Sequence, residues 1–171
     1  DDYVQDCTID TDLEILIPDN YVENITERLS LYTRLDNCET EAELQEFEKE
    51  LNDRFGPVPP QVTDLLNALR CRKAAIRLGF EKLILKNNKL RCYFMDKHDS
   101  PYFESELFHG ILNYIQTRTN KASLKQAGKL FMLVVADVED MTAMYRFLNN
   151  MEREVIPEEL ELSLSTQEEN V

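Results

Sequence analysis

The sequence has few of the glycines that nucleotide-binding loops need. It holds four glycines in 171 residues. A phosphate-binding P-loop requires two glycines around a turn and a lysine followed by Ser or Thr. The only Gly-Lys pair, Gly128 and Lys129, is followed by Leu130 and has no glycine five residues before it. A dinucleotide-binding glycine fingerprint is also missing, so the sequence argues against ATP binding and predicts no cofactor for this chain.

Residues that carry nucleophilic or metal chemistry are equally scarce. The two histidines, His98 and His109, stand in no recognisable nucleophile motif. Four cysteines lie tens of residues apart without a C-x-x-C pair, which favours reduced thiols over a disulfide framework or a zinc site. The sequence therefore predicts no catalytic residue and no metal. A small hydrolase built on the histidines is one alternative.

Positive charge is also in deficit, with 19 Lys and Arg against 33 Asp and Glu and a net charge of -14. Affinity for duplex DNA comes largely from basic side chains that release counterions, so DNA binding by the whole chain is disfavoured. The bases are unevenly spread, however, because eight of them fall between residues 70 and 91 with Glu81 as the single acid. An accessory nucleic-acid-binding module remains the main alternative, with candidate contacts at Arg70, Arg72, Lys73 and Arg77.

Long apolar runs and a leader peptide are missing too. No stretch approaches the ~18 apolar residues of a membrane span, and no basic and apolar segment opens the chain. We therefore expect a cytoplasmic, monomeric domain with no membrane contact. Its single core is predicted over 13–155, followed by an acidic and disordered tail over 156–171.

The first half of the chain has helical periodicity. Residues 13–17 (LEILI) are a short strand candidate, and a first helix is predicted from Asp19 or Asn20. A second helix begins at Thr40 with Glu43 as its capping box and ends at Gly56. A third begins at the prolines 59 and 60 and stops near Gly79. The predicted buried positions are, in the first helix, Val22, Ile25, Leu29, Tyr32 and Leu35, in the second Leu44, Phe47, Leu51 and Phe55, and in the third Val62, Leu65, Leu66, Leu69 and Ile76.

The second half alternates hairpins with helices. One hairpin is predicted over 80–94, turning at Asn87 and Asn88, which tolerate a positive φ. A helix from Ser100 and Pro101 follows, then a hairpin that turns near Gly128, whose second run, 130–136, is apolar on both faces and predicts a central strand. A last helix follows from Asp137. The order predicts an α+β fold with a mainly antiparallel sheet behind three leading helices.

One stretch, KELNDRFGPVPPQV over residues 49–62, combines charged side chains with a helix-stop signal. Glu50 and Arg54 are four residues apart, which by itself indicates a helical ion pair worth a few tenths of a kcal/mol. Asp53 lies between them, and Phe55, Gly56 and Pro57 end the helix. Spacing and composition lead no further than this.

Two segments resemble a known family. IPDNYVENITERLSLYTRL (17–35) and the segment from Glu39 to Leu83, which contains DRFGPVP, are similar to the carboxyl-terminal (TRCF) domain of the bacterial transcription-repair coupling factors, the Mfd proteins. The resemblance covers about half of the chain. It implies that 1–12 are a remnant of the linker from a preceding translocase domain.

The resemblance also implies a function. Family parents are ATP-driven DNA translocases that displace stalled RNA polymerase and recruit the repair protein UvrA in nucleotide-excision repair. Their carboxyl-terminal domain is a non-catalytic, autoinhibitory element that packs on an amino-terminal UvrB-like module and masks the UvrA-binding surface. The family uses an E-x-x-D-R stretch for this contact, and Glu50, Asp53 and Arg54 occupy its positions here. The resemblance therefore predicts a protein-interaction site at these three residues.

Overall fold

In the computed structural model, which describes residues 3–157, the chain divides into two units at residue 70. One unit is Leu13–Arg70, and the other joins the residues up to Asp12 to those from Cys71 onward. The predicted domain over 13–155 is thus divided between both. Most of the predicted tail lies outside the described residues.

The Leu13–Arg70 unit is helical. Helix α1 spans Ile25–Asp36, α2 spans Glu41–Phe55, and α3, which starts at Pro60 and runs to Leu78, contributes its first half. Apolar side chains from these helices and from the segment before α1 form the core of this unit: Ile17, Val22, Leu31, Leu35, Leu44, Phe47, Leu51, Val62 and Leu66. The core places the charged carboxyl end of α2 on the outside of the unit.

The three leading helices are confirmed, with three local errors in or near the first. Residues 13–17 form no strand, and the Ile17 N–H donates to the hydroxyl of Tyr32 at 2.7 Å. Helix α1 begins at Ile25 and not at residue 19 or 20, since Asn24 is its cap and accepts from the Glu27 N–H at 2.9 Å. The predicted buried face of α1 is also wrong for Ile25 and Leu29, which are 63% and 61% exposed.

The second unit is built on a five-stranded sheet. Strands β2 (Phe80–Lys86) and β3 (Lys89–Phe94) form the first predicted hairpin, and β4 (Ala122–Ala127) and β5 (Leu130–Val135) form the second. Asn87 and Asn88 have φ of 54° and 59°, as the first turn was predicted to need. The strand order β1-β2-β3-β5-β4 gives β5 an interior place, as predicted. The α+β prediction is therefore confirmed.

A strand that the sequence did not reveal completes this sheet. Strand β1, Thr8–Thr11, pairs in parallel with β2 and lies within the stretch predicted to be linker. The helix predicted from Ser100 and Pro101 is divided in the structure. A short 3-10 helix spans Pro101–Glu104, and helix α4, capped by Ser105, spans Glu106–Thr117. Helix α5, Met141–Val155, is capped by Asp140 and follows β5. None of the described helices has the length and apolar content to cross a membrane.

Candidate functional site

The candidate site is the carboxyl end of α2, which presents Glu50, Asp53 and Arg54. We call it the α2-terminus surface. Residues spaced by three and four share one side of a helix, and the structure brings these three together in this way. The helix is oriented by Leu44, Phe47 and Leu51, which are buried, and it is started by the Thr40 hydroxyl, which accepts from the Glu43 N–H at 3.2 Å. The same amphipathic pattern that anchors α2 therefore exposes the charged side.

Glu50 is the centre of an ion-pair network. Its two carboxylate oxygens accept from both terminal nitrogens of Arg34 in α1, at 2.6 and 2.8 Å. It also accepts from Nη1 of Arg54 at 3.1 Å, the i,i+4 pair expected from the sequence. The hydrogen bonds from Arg34, followed by its charge, lower the pKa of Glu50. Glu50 is therefore ionised at neutral pH and links two helices.

Arg54 is held from two sides. Its guanidinium pairs with Glu27 in α1 as well as with Glu50, and it lies over the ring of Phe55, 4.8 Å from the ring centre. Such contacts fix the direction of the guanidinium while leaving it about 42% exposed. Arg54 is thus a preorganised group on the surface.

The helix terminus beneath these charges is itself fixed. The Tyr21 hydroxyl lies 3.0 Å from the Leu51 carbonyl and 2.8 Å from the Gly56 carbonyl, within hydrogen-bond reach of both. Gly56 ends the helix with a φ of 92°, a conformation that side-chain-bearing residues rarely adopt. Tyr21 also packs against Phe55, with ring centres 5.8 Å apart. The motif's Phe-Gly pair therefore serves as a rigid base.

Asp53 differs from its two neighbours. It is exposed, and within the described residues its carboxylate takes part in no ion pair or side-chain hydrogen bond. Its negative charge is therefore the one uncompensated charge of the three, available to a basic group on another molecule or domain.

The sequence did not reveal Glu27 and Arg34. Glu27 pairs with Arg54, and Arg34 pairs with Glu50. Arg34 is 16 residues from Glu50, and no local spacing rule connects residues so far apart. Both lie in the ITERLSLYTRL segment that carries part of the family resemblance. Their position in this segment is the feature of the sequence that could have pointed to them.

The basic residues proposed as nucleic-acid contacts interact with other residues of the same chain. Arg70 pairs with Glu41 at 3.0 Å, and Arg72 pairs with Asp6 at 2.6 Å. Arg77 pairs with Glu152, which is only 4% exposed. Lys73 also has an interaction within the chain. Pairing with carboxylates removes much of the charge that would release counterions from a nucleic acid, so these contacts argue against that alternative.

Each histidine ring contacts a backbone carbonyl. A ring nitrogen of His98 is 2.8 Å from the Lys129 carbonyl, and Nδ1 of His109 is 2.7 Å from the carbonyl of Ser105, one turn earlier in the chain. Both contacts are to backbone acceptors and hold the rings in place. Among residues 3–157, no group of three His, Cys, Asp or Glu side chains is arranged to hold a metal ion.

Comparisons with known proteins agree with the resemblance seen in the sequence. The family model for the TRCF domain matches residues 11–105. The transcription-repair-coupling factor of Rickettsia conorii is 32% identical over 123 residues, which are 72% of this chain and 10% of that protein. The factor of Escherichia coli is 38% identical over 79 residues, 46% of this chain and 7% of that protein. The chain thus spans about a tenth of the length of the curated relatives that it matches.

A solved structure shares the fold. The crystal structure of the C-terminal domain of transcription-repair coupling factor superposes with a TM-score of 0.65 and covers 86% of this chain and 96% of its own. Sequence identity between the two is 18%. At this identity the likeness concerns the fold alone.

Proposed function

The chain belongs to the TRCF domain family of the transcription-repair coupling factors, and from this premise we propose that it is a non-catalytic regulatory domain whose α2-terminus surface holds another part of its parent protein. The partner is the amino-terminal UvrB-like module, and the contact masks the surface by which that module binds UvrA. The parent is an ATP-driven DNA translocase that engages RNA polymerase. The ATPase and DNA-tracking motifs of the family lie in domains upstream of this one.

The observation that carries this proposal is the arrangement of charges at the end of α2. Arg54 is held between Glu50 and Glu27, and Asp53 is presented beside it without a partner in the described chain. Groups that are already fixed in the free domain lose little freedom on binding, so more of the contact energy becomes affinity. This favours a prepared binding surface over an ordinary solvated helix end.

The same arrangement supports a contact that can open. The guanidinium of Arg54 is already neutralised by two carboxylates, so it gains only part of a new ion pair when a partner arrives. Charged and partly wet contacts give partner choice more than raw affinity. A masking contact has to release when the parent engages polymerase. A contact made by charged groups that are already partly neutralised is weak enough to release.

Asp53 indicates the chemistry of the partner. An exposed, unpaired carboxylate next to a fixed guanidinium selects a surface with a basic group facing Asp53 and an acceptor facing Arg54. A predominantly acidic partner would leave Asp53 without a counterpart, and an apolar partner would leave both groups without one. The module is therefore expected to present an Arg or Lys toward Asp53.

A binding measurement between separate proteins tests this proposal. The 171-residue chain is titrated with the purified amino-terminal module, as the wild type and as Asp53→Arg. We expect the variant to bind at least about tenfold more weakly, because an attractive charge contact becomes a repulsive one. Glu48→Arg is the matched control, since this residue lies five positions earlier and about 140° around the helix.

Equal binding by wild type and Asp53→Arg, with circular dichroism showing both folded, would contradict the proposal. A similar loss with Glu48→Arg would also contradict it. That result would show a dependence on overall charge instead of a contact at the α2-terminus surface.

A further inference from the structure

Strand β4 forms an edge of the sheet that no other described strand covers. In the order β1-β2-β3-β5-β4 it is the last strand, and five of its six residues are exposed. Its pairing with β5 ends at the turn with Ala127 opposite Leu130. In such a two-residue hairpin the backbone of alternate residues bonds to the partner strand. The N–H groups of Leu124 and Gln126 therefore face away from the sheet.

An apolar groove lies beside this open edge, and we call it the β4 groove. It has a volume of about 370 Å³. Its lining includes Phe103, Phe108, Leu112, Leu124, Gln126 and Phe131. Leu124 is 40% exposed and adds an accessible apolar side chain to the lining of the groove. An open strand edge next to an apolar groove is the arrangement that binds an added strand, with backbone hydrogen bonds from the edge and side-chain contacts from the groove.

The chain itself contains a sequence suited to this place. Residues 160–165, which lie outside the described residues, read LELSLS. Leucines at 160, 162 and 164 alternate with Glu, Ser and Ser, the period of a strand with one apolar and one polar face. Six residues also match the length of β4.

The charges of the two segments are complementary. Along β4, Leu124 and Gln126 line the groove, so Lys125 between them points to the opposite face of the sheet. In an added strand whose leucines face the groove, Glu161 would lie on the same face as Lys125. Residues 158 and 159 are also glutamates. Opposite charges across neighbouring strands stabilise the pairing and help set its register.

The described part of the chain ends near the segment that precedes β4. Glu154, near the end of α5, pairs with Arg118 at 2.5 Å, and Arg118 lies four residues before β4. Helix α5 ends at Val155, so four residues, 156–159, separate it from Leu160, and a segment of four residues spans at most roughly 14 Å. The proposal therefore requires the end of α5 to lie within that distance of β4.

We propose that residues 160–165 bind in cis to the outer edge of β4 as a sixth strand, with their leucines covering the β4 groove. The pairing satisfies the outward N–H groups of Leu124 and Gln126 and covers Leu124. It also protects an edge strand that would otherwise be free to pair with other chains. The proposal concerns this chain's own sheet and is independent of the α2-terminus surface.

Amide hydrogen exchange of the 171-residue chain, followed residue by residue by NMR, tests this proposal. Docking should slow the exchange of the Leu124 and Gln126 amides, and Leu162→Asp should speed it by about tenfold or more, as expected when a mostly closed state opens. Ser163→Asp is the matched control, because it adds the same charge one residue away on the polar face. It should leave the protection in place.

Three outcomes would overturn the proposal. Equal exchange in wild type and Leu162→Asp would show that residues 160–165 do not cover β4. Equal acceleration by Leu162→Asp and Ser163→Asp would show that charge, and not an apolar strand face, controls the protection. Protection that rises with protein concentration would show that the strand is supplied by a second copy.

Discussion

At the scale of single residues, Glu50 is the group of the candidate site that ties helix α2 to Arg34 in α1. It is bonded to Arg34 through two hydrogen bonds and to Arg54 through a third, and the hydrogen bonds from Arg34, followed by its charge, lower the pKa of Glu50. A carboxyl whose pKa is lower in the folded state contributes stability above its unfolded pKa, and that contribution is lost as the pH falls through the folded value. This direction gives a testable dependence on pH.

We predict that Glu50→Gln lowers the free energy of unfolding by roughly 0.5 to 1 kcal/mol at pH 7, the range of exposed ion pairs. The difference from wild type should be constant above about pH 5, where an ordinary glutamate is ionised, and should shrink toward zero in more acidic solution. Denaturant titrations at several pH values measure it. Asp53→Asn is the control, because it removes a carboxylate that has no partner among the described residues, and it should change stability little at pH 7. A loss for Glu50→Gln that does not vary with pH would contradict the network.

A second residue-scale feature is the close approach of Gly79 to Tyr102. Gly79 ends α3 with a φ of +96°, and a Cβ added there would lie 2.3 Å from Cε2 of Tyr102. Tyr102 is fully buried and its hydroxyl donates to the Leu78 carbonyl at 2.7 Å, so the ring has little room to move. Position 79 therefore requires glycine for space as well as for conformation.

Gly79→Ala should lower the free energy of unfolding by roughly 3 kcal/mol or more, the sum of left-handed strain and an overpacked contact. Gly128→Ala is its control in the same unit. That glycine also has a positive φ, of +61°, but no atom within 4 Å of an added Cβ, so only about 1 to 2 kcal/mol is expected. If thermal or chemical unfolding shows that Gly79→Ala and Gly128→Ala lower the free energy of unfolding equally, the packing around Tyr102 is contradicted.

At the scale of elements, helix α2 followed its sequence signals and α1 did not. Helix α2 has a side-chain cap at Thr40, a buried stripe and a terminal glycine, and each signal acts within a few residues. The predicted stripe of α1 has valid helical spacing, yet Leu31 and Leu35 are buried while Ile25 and Leu29 are exposed. Periodicity defines a broad face, and the part of that face that becomes buried depends on the neighbouring helices.

We predict that Leu51→Ala and Phe47→Ala each lower the free energy of unfolding by roughly 2 to 5 kcal/mol, because both side chains are buried in the Leu13–Arg70 unit. Leu29→Ala is a matched control for Leu51→Ala, with the same change on a side chain that is 61% exposed. It should change stability by less than about 0.5 kcal/mol. If Leu29→Ala lowers the denaturant midpoint as much as Leu51→Ala does, the packing of α1 is contradicted.

The strands show the same division between local and distant determinants. The turn at Asn87 and Asn88 was predictable because a tight hairpin needs residues that accept a positive φ. Strand β1 was not, because Thr8–Thr11 is short and polar and pairs with residues more than 70 positions away. The partners of Glu50 and Arg54 in α1 were hidden for the same reason. Sequence patterns identified which side chains face outward on α2, and the fold determined which of them are already paired.

At the scale of the whole molecule, the charge of -14 and the paired arginines of α3 point away from nucleic acid and toward a protein partner. The chain spans about a tenth of its curated relatives, so its proposed role is defined by what it holds within a much longer protein. A masking domain acts by lowering the fraction of molecules whose binding surface is open. Its effect is therefore measurable as a change in the apparent affinity of the parent for UvrA.

The most direct test of the central claim is a UvrA titration of the full-length parent protein, comparing wild type with Asp53→Arg and with Glu48→Arg. The single change is preferable to one that also reverses Arg54, because Glu27 and Glu50 would then face a third carboxylate. If the α2-terminus surface masks the UvrA site, Asp53→Arg should raise the apparent affinity for UvrA by up to about tenfold, while Glu48→Arg should leave it unchanged. An unchanged affinity in a folded Asp53→Arg protein would contradict the masking role.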